Sequence, residues 1–275
     1  MKPLDGMAVV TLAINIPGPV AAARLRDLGA AVTKVEPPAG DPLALFSRTW
    51  YSELCGGMTV IPLDLKSDAG MADLLDRLRT ADLLLTANRP SALARLGLDW
   101  PRLQVLNPRL CHVGIVGHAP PHEEQPGHDL TYQAALGTLA PPELPRILLA
   151  DMAGAQEAMA ASLALLLGRE RGQGAGQTWV SLESAAHAFA ATLREGITVP
   201  GGMLGGGILN YQTYRTSDGH IALAALEPHF LRRLLDALGR ETLDETSLRS
   251  LFLTGTSDTW VAWARKHQIP LAKVE

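Results

Sequence analysis

Three consecutive segments between Met7 and Glu36 leave this chain little freedom of architecture. MAVVTLAI, from Met7 to Ile14, is a β-rich apolar run of the length expected for a buried strand. Pro17, Gly18 and Pro19 end it, and Pro19 suits the first turn of a helix. Val20, Ala23, Leu25 and Leu28 then follow a helical stripe that Gly29 stops. AVTKVE, from Ala31 to Glu36, follows at once as a second strand. Strand, helix and strand within about thirty residues form a βαβ unit, which demands a parallel sheet with a right-handed crossover. The unit lacks GxGxxG, so a simple dinucleotide-binding reading is weak.

The same alternation continues. After the turn-rich Glu36 to Leu45, LDLKS at Leu63 to Ser67 reads as a strand edge leading into a helix. Met71, Leu74, Leu75 and Leu78 give Gly70 to Arg79 an amphipathic helical face. Ala81 to Ala87, Arg109 to Gly117 and Gln177 to Leu182 read as further strands. Helices are expected over Asp151 to Gly168 and Glu183 to Glu195. PGGMLGGG, from Pro200 to Gly207, holds five glycines in eight residues and reads as a linker. Beyond it come two strands around Ser217-Asp218-Gly219, a helix from Pro228, and another near Thr259 to Lys266. The expected class is α/β: a Rossmann-like parallel-sheet domain over 1–199, a linker over 200–207, and a small α+β domain over 208–275.

Composition narrows the function classes. Hydrophobic residues make up 47% of the 275 positions and charged residues 19%, which fits a packed globular chain and not a disordered one. A net charge of -4 argues against nucleic acid as a partner. No run approaches the roughly 20 apolar residues of a membrane span, so no membrane partner is expected. MKPLDGMAVVTLAI does not read as a signal peptide. Cys55 and Cys111 lack metal-ligand spacing and read as reduced thiols of a cytoplasmic protein, with no metal site expected.

Chemistry concentrates in two stretches, PGHDLTYQAA at Pro126 to Ala135 and LLADMAGAQEAM at Leu148 to Met159. The first sets His128 beside Asp129 after a Pro-Gly turn; the second ends an apolar run on Asp151 and enters a helix. An imidazole and a carboxylate brought by separate loops make a proton-transfer pair, because modest shifts bring either near neutral pH. Each residue also has a plainer role. His128 and Asp129 read equally as a turn pair, Asp151 as a helix cap and Glu227 as a helix-start acid. Arg89 and Arg95 read as solvated charges, and His112, His118, His122 and His187 as structural or exposed.

Taken in order, VTLAINIPGPVAAARLRDLGAAVTKVEPPAGD, LDLKS, ADLLLTANRPSALARLGLDW, NPRL, PGHDLTYQAALG, LLADMAGAQEAM and YRTSDGHIALAALEPHF resemble the family III coenzyme A transferases, the CaiB/BaiF type. His128 in PGHD and the ALEPHF segment resemble the α-methylacyl-CoA racemase branch. The resemblance implies an interlocked homodimer acting on acyl-CoA thioesters, with coenzyme A as part of the substrate and no permanently bound cofactor. It assigns His128 and Asp151 as acid/base groups on opposite faces of the α-carbon. Glu227 would orient the imidazole and Asp129 would shape the site. Ala87, Asn88, Arg89 and Arg95 would contact the CoA moiety, and Gly127 to Tyr132 would line the thioester end. If Asp151 opens a helix, the amides of that helix's first turn are expected to face a developing oxyanion.

The chain departs from the family pattern where phosphates are gripped. No Arg or Lys lies between Arg48 and Lys66, Pro37 follows the acid of the second strand, and GHAPPHEEQ brings in Glu123 and Glu124. The spacing from His128 to Asp151 is short for the family, and the sequence stops at IPLAKVE, ahead of the family's returning tail. Three functions follow from these residues: a 2-methylacyl-CoA racemase, a CoA-transferase with Asp151 as nucleophile, and a family member without catalytic activity.

Overall fold

The computed structural model describes all 275 residues, in two compact units, Met1–Ala190 and Ala191–Glu275. The first unit is built on six parallel strands: β1 (Ala8–Thr11), β2 (Ala31–Glu36), β3 (Thr59–Pro62), β4 (Leu83–Thr86), β5 (Cys111–Val116) and β6 (Gln177–Ser181). They lie in the order β3-β2-β1-β4-β5-β6, which reverses direction between β1 and β4. Loops leaving two such strands part to either side, and the opening at their carboxyl ends is where this architecture holds ligands.

These segments are strands buried on both faces, with successive side chains turned to opposite sides of the sheet. Val9, Leu83 and Leu85 pack on one face of the sheet with Ala21, Ala22, Leu25, Ala155 and Ala158. Val10 and Leu84 point to the other face and meet Leu74, Leu78, Leu93 and Leu103. The alanines belong to helices Pro17–Asp27 and Leu149–Gly168, whose small side chains let both lie close over the sheet. The same packing fixes where the second helix begins, and therefore where Asp151 stands.

A buried ion cluster fixes the loop after β1. Lys34, fully buried on β2, pairs with Glu36 and, at 2.7 Å, with Asp41. Asp41 also accepts a hydrogen bond from the Asn15 amide at 2.8 Å, and the Tyr51 hydroxyl donates to Glu36 at 2.7 Å. Asn15 adopts the left-handed backbone conformation that turns the chain from β1 into its helix.

The second unit carries an antiparallel sheet of β7 (Tyr211–Arg215), β8 (His220–Ala224) and β9 (Leu271–Lys273). Helices Pro228–Leu238, Glu245–Leu253 and Ser257–His267 supply Leu234, Leu248, Phe252 and Ala264 to its core with Tyr214 and Ile221.

Several expectations need correction. Leu63 to Ser67 is not a strand; the strand ends at Pro62, and Ser67 caps the helix Asp68–Leu78 by accepting from the Gly70 amide. Glu183 to Glu195 is not one helix but two, Leu182–Phe189 and Ala191–Arg194. The division of the chain falls after Ala190, ahead of the glycine-rich stretch expected as a linker. That stretch forms a tight internal turn, with Gly202, Leu204 and Gly207 donating to Val199, Ile197 and Gly202. A Cβ at Gly205 would lie 1.9 Å from the Val199 carbonyl oxygen, so there the glycine answers a close backbone approach and not a need for flexibility.

Candidate active site

The carboxyl ends of β1, β4, β5 and β6 surround a cavity of about 630 Å³. Asn15 and Pro17 line it after β1, Ala87 and Arg89 after β4, Gly117 after β5 and Leu182 after β6. Pro126 to Leu130, Tyr132 and Asp151 complete the wall. His128 and Asp151, 23 positions apart in the sequence (151 − 128), are therefore joined at the switch point of the sheet.

Local chemistry explains how His128 and Asp151 are held. His128 precedes the helix Asp129–Leu136; its amide donates to the Thr131 hydroxyl at 3.1 Å, and that hydroxyl donates back to the His128 carbonyl at 2.7 Å. Asp129 is buried and bonded on both oxygens. One accepts from the amides of Ala150 (2.6 Å) and Asp151 (3.1 Å), the other from the Gln133 side chain at 2.6 Å. Asp129 thus caps the helix Leu149–Gly168 from outside and ties the His128 loop to the Asp151 turn. Its part is positional, and its charge adds an electrostatic effect.

That effect falls on Asp151. Burial, reinforced by the neighbouring Asp129 charge and opposed by His128, pushes the Asp151 carboxyl from its usual 3.8 up to about 6. Asp151 lies in the first turn of its helix, as expected. The expectation for the helix amides fails, however. Those of Ala150 and Asp151 are committed to Asp129, because a buried carboxylate so close takes the free donors first.

Tyr132 belongs to the same wall. It is 2% exposed, and its hydroxyl has no hydrogen-bond partner. Its ring meets His118 edge-on at 5.1 Å, and His118 Nδ1 lies 2.7 Å from a Glu183 carboxylate oxygen. His118 is therefore a packed, paired group next to the site and not an isolated one; no motif in its own segment could reveal a partner 65 positions away. His112 is structural: it bonds Thr86 and the Gln177 side chain, and burial lowers its pKa to about 4.

The residues expected to contact CoA are split. Ala87, Arg89, Gly127 and Tyr132 line the cavity with His128 and Asp151. Asn88 lines an adjoining hollow of about 550 Å³ with Glu36, Pro37, Pro38 and Lys66, and its side-chain oxygen has no partner. Arg95 faces a separate hollow beside Lys66 and Ser67. Glu124, at the edge of this region, accepts from the Ser91 amide at 2.9 Å and hydroxyl at 2.8 Å. Those two hydrogen bonds, helped by Arg89 and Arg95, lower its pKa. Glu123 lines the main cavity with one carboxylate oxygen buried and unpartnered. Glu227 belongs to the second unit, where it stands exposed at the start of the helix Pro228–Leu238.

The family model for CoA-transferase family III matches residues 4–275. The chain belongs to this family. A probable fatty acyl-CoA transferase of Mycobacterium tuberculosis, Rv3272, is 30% identical over 89% of this chain and 71% of its own length. The human α-methylacyl-CoA racemase is 33% identical over 86% of this chain and 65% of its own. A cinnamoyl-CoA:phenyllactate CoA-transferase of Clostridium sporogenes is 28% identical over 98% and 77%. The crystal structure of Rv3272 matches this fold with a TM-score of 0.85 at 27% identity, covering all of this chain and 84% of that one. Racemases and transferases thus share this family III framework, and both work on CoA thioesters by name. No helix is long and apolar enough to cross a membrane.

Proposed function

We propose that this chain interconverts the two configurations of a 2-methylacyl-CoA thioester by removing and returning the α-proton, with His128 and Asp151 as the acid/base pair. The observation that supports this most is the Asp151 carboxyl, raised to about 6 and lining the same cavity as His128. A carboxyl so poised carries a proton in one direction of the reaction and accepts it in the other at neutral pH. Inversion needs one such group on each face of the α-carbon, so that the proton leaves from one side and returns from the other. Acid/base help of this kind contributes roughly 10² to 10⁴-fold.

A transferase reading uses Asp151 differently, as a nucleophile that forms an acyl anhydride. The transferases among the relatives favour it. A carboxyl near 6 is largely ionised at neutral pH and serves as a nucleophile as well as a base, so an acyl adduct on Asp151 is what distinguishes the two.

Within the racemase reading, Arg89, Ala87, Asn88 and Arg95 hold the CoA moiety, and Gly127 and Tyr132 line the thioester end. The buried free thiols Cys55 and Cys111 support a reducing cytoplasmic setting. An interlocked homodimer follows from the family resemblance, and sedimentation equilibrium reads it directly. The activity is tested by α-hydrogen exchange into 2-methylacyl-CoA, with His128→Ala and Asp151→Ala beside the wild type. Exchange that stops in both variants, with no acyl adduct on Asp151 by mass spectrometry, is the expected result. An adduct at Asp151 without exchange would replace racemase by transferase.

A further inference from the structure

The site contains a buried donor that the proton-transfer pair does not use. We propose that the Tyr132 hydroxyl donates a hydrogen bond to the thioester oxygen as negative charge builds there, making Tyr132 a third catalytic residue. The inference rests on the proposed function for its substrate class, a CoA thioester, and not for the direction of the reaction. Enolate formation and acyl transfer both drive charge onto the same oxygen.

Four observations converge on this hydroxyl. It is buried in a side chain that forms part of the cavity wall, yet it has no partner. Leaving a buried polar group unsatisfied costs about 1–3 kcal/mol, and folded chains rarely tolerate it without a use. The hydroxyl packs against the backbone of Gly117 and Gly127: a Cβ at Gly117 would lie 2.2 Å from its oxygen and one at Gly127 2.5 Å, so only glycine fits beside it at either position. Both strands of loop that pass the hydroxyl are thus free of side chains where they pass it. Finally, the ring is held from behind by His118, itself fixed by Glu183, so the hydroxyl is positioned before any ligand arrives.

The helix amides expected to serve the oxyanion are bonded to Asp129, which gives a side-chain donor the more weight. Burial first, then the charges of Asp151 and Glu183, raise the phenol's pKa, so it acts as a donor and not as a proton carrier. In the enolisation step the base takes the α-proton and the C–H electron pair becomes the new C=C bond. The carbonyl π pair moves onto oxygen, where the Tyr132 O–H bond holds it. Return of a proton to the other face restores the C–H and C=O bonds, and Tyr132 keeps its own proton throughout.

Tyr132→Phe removes one oxygen and leaves the ring against His118. Because that oxygen bonds nothing, the variant's melting temperature is expected to stay level or rise. Its kcat for α-hydrogen exchange falls about a hundredfold while KM stays within about twofold, the pattern of a lost oxyanion donor. A second readout needs no turnover. Cinnamoyl-CoA bound to the wild type shows its conjugated thioester band shifted to longer wavelength by carbonyl polarisation, and the variant loses that shift. A band shift in the wild type alone, with no exchange in either protein, keeps the hydroxyl's role and rejects the racemase reading. An unchanged kcat, an identical band shift in both proteins, or binding without any shift in the wild type would each overturn the inference. A fall in kcat matched by a fall in melting temperature would also overturn it, as a packing effect.

Discussion

The two sides of the ligand cleft handle their polar groups in opposite ways. On the β2 side, buried charge is paired from within: Lys34 is shared by Glu36 and Asp41, and Glu36 takes the Tyr51 hydroxyl. On the side of His128 and Asp151, groups are left strained or open. Asp151 holds a proton beyond its usual range, and the Tyr132 hydroxyl bonds nothing. Buried groups without a partner also occur at Asn88, in the hollow beside Glu36, and at Glu123, so the contrast lies in the charges: paired around Lys34, and a carboxyl held up in pKa at Asp151. The saturated side has the opposite consequence. Cations that would meet the phosphates of CoA are absent from 49–65, and acids stand at Glu123 and Glu124. In the proposed reading, the acid/base groups are therefore better provided for than the grip on the nucleotide end.

The sharpest way to break this contrast is to open the saturated side. Lys34→Met leaves Glu36 and Asp41 buried together without their cation, and a loss of about 3–5 kcal/mol in urea unfolding is expected. A loss below about 1 kcal/mol would show that the cluster is not the closed unit described here.

On the reactive side the sign reverses. Asp151 binds its proton more tightly folded than unfolded, so its contribution to stability is fully present below about pH 4 and is lost as pH rises through about 6. Asp151→Asn removes that penalty. The variant should match the wild type near pH 3.5 and exceed it by about 2 kcal/mol above pH 7, measured by denaturant midpoint at each pH. The buried, neutral His112 works in the opposite sense, losing stability as pH falls from about 6.5 through about 4. The difference between variant and wild type isolates Asp151 from it.

The smallest effect belongs to Glu124. Its carboxylate sits among Ser91, Arg89 and Arg95, where an incoming anion meets it as a competitor and as a like charge. Glu124→Gln is expected to tighten CoA binding about threefold by calorimetry at low salt, with the gain fading as salt screens the charge. Weaker binding would mean that Glu124 organises the segment more than it repels the ligand.

Much of the framework was legible because burial writes itself into local pattern. The βαβ unit, the apolar runs that form β4 and β5 and the helical stripe through Leu74 and Leu78 are all legible in the sequence. β3 was misplaced for a physical reason: Thr59–Pro62 is an edge strand with largely exposed side chains, so it lacks the apolar signal of its neighbours. β9 is three residues long, too short to show a period. PGGMLGGG misled because glycine marks flexible linkers and close backbone packing alike. At the site, His128 and Asp151 stood out by type and by family motif. The clamp by Asp129, the open Tyr132 hydroxyl and the pairing of His118 with Glu183 are contacts across the fold, and only the folded chain displays them.

The central claim is that His128 and Asp151, lining one cavity, move a proton at the α-carbon. It is met most directly by incubating one enantiomer of a 2-methylacyl-CoA in D₂O and following configuration and α-deuterium together. The account predicts that inverted product carries deuterium at the α-carbon, and that Asp151→Asn slows inversion and incorporation alike by 10² to 10⁴-fold, roughly the worth of one acid/base group. Acyl transfer to a carboxylate acceptor with the original α-proton and configuration retained would contradict it.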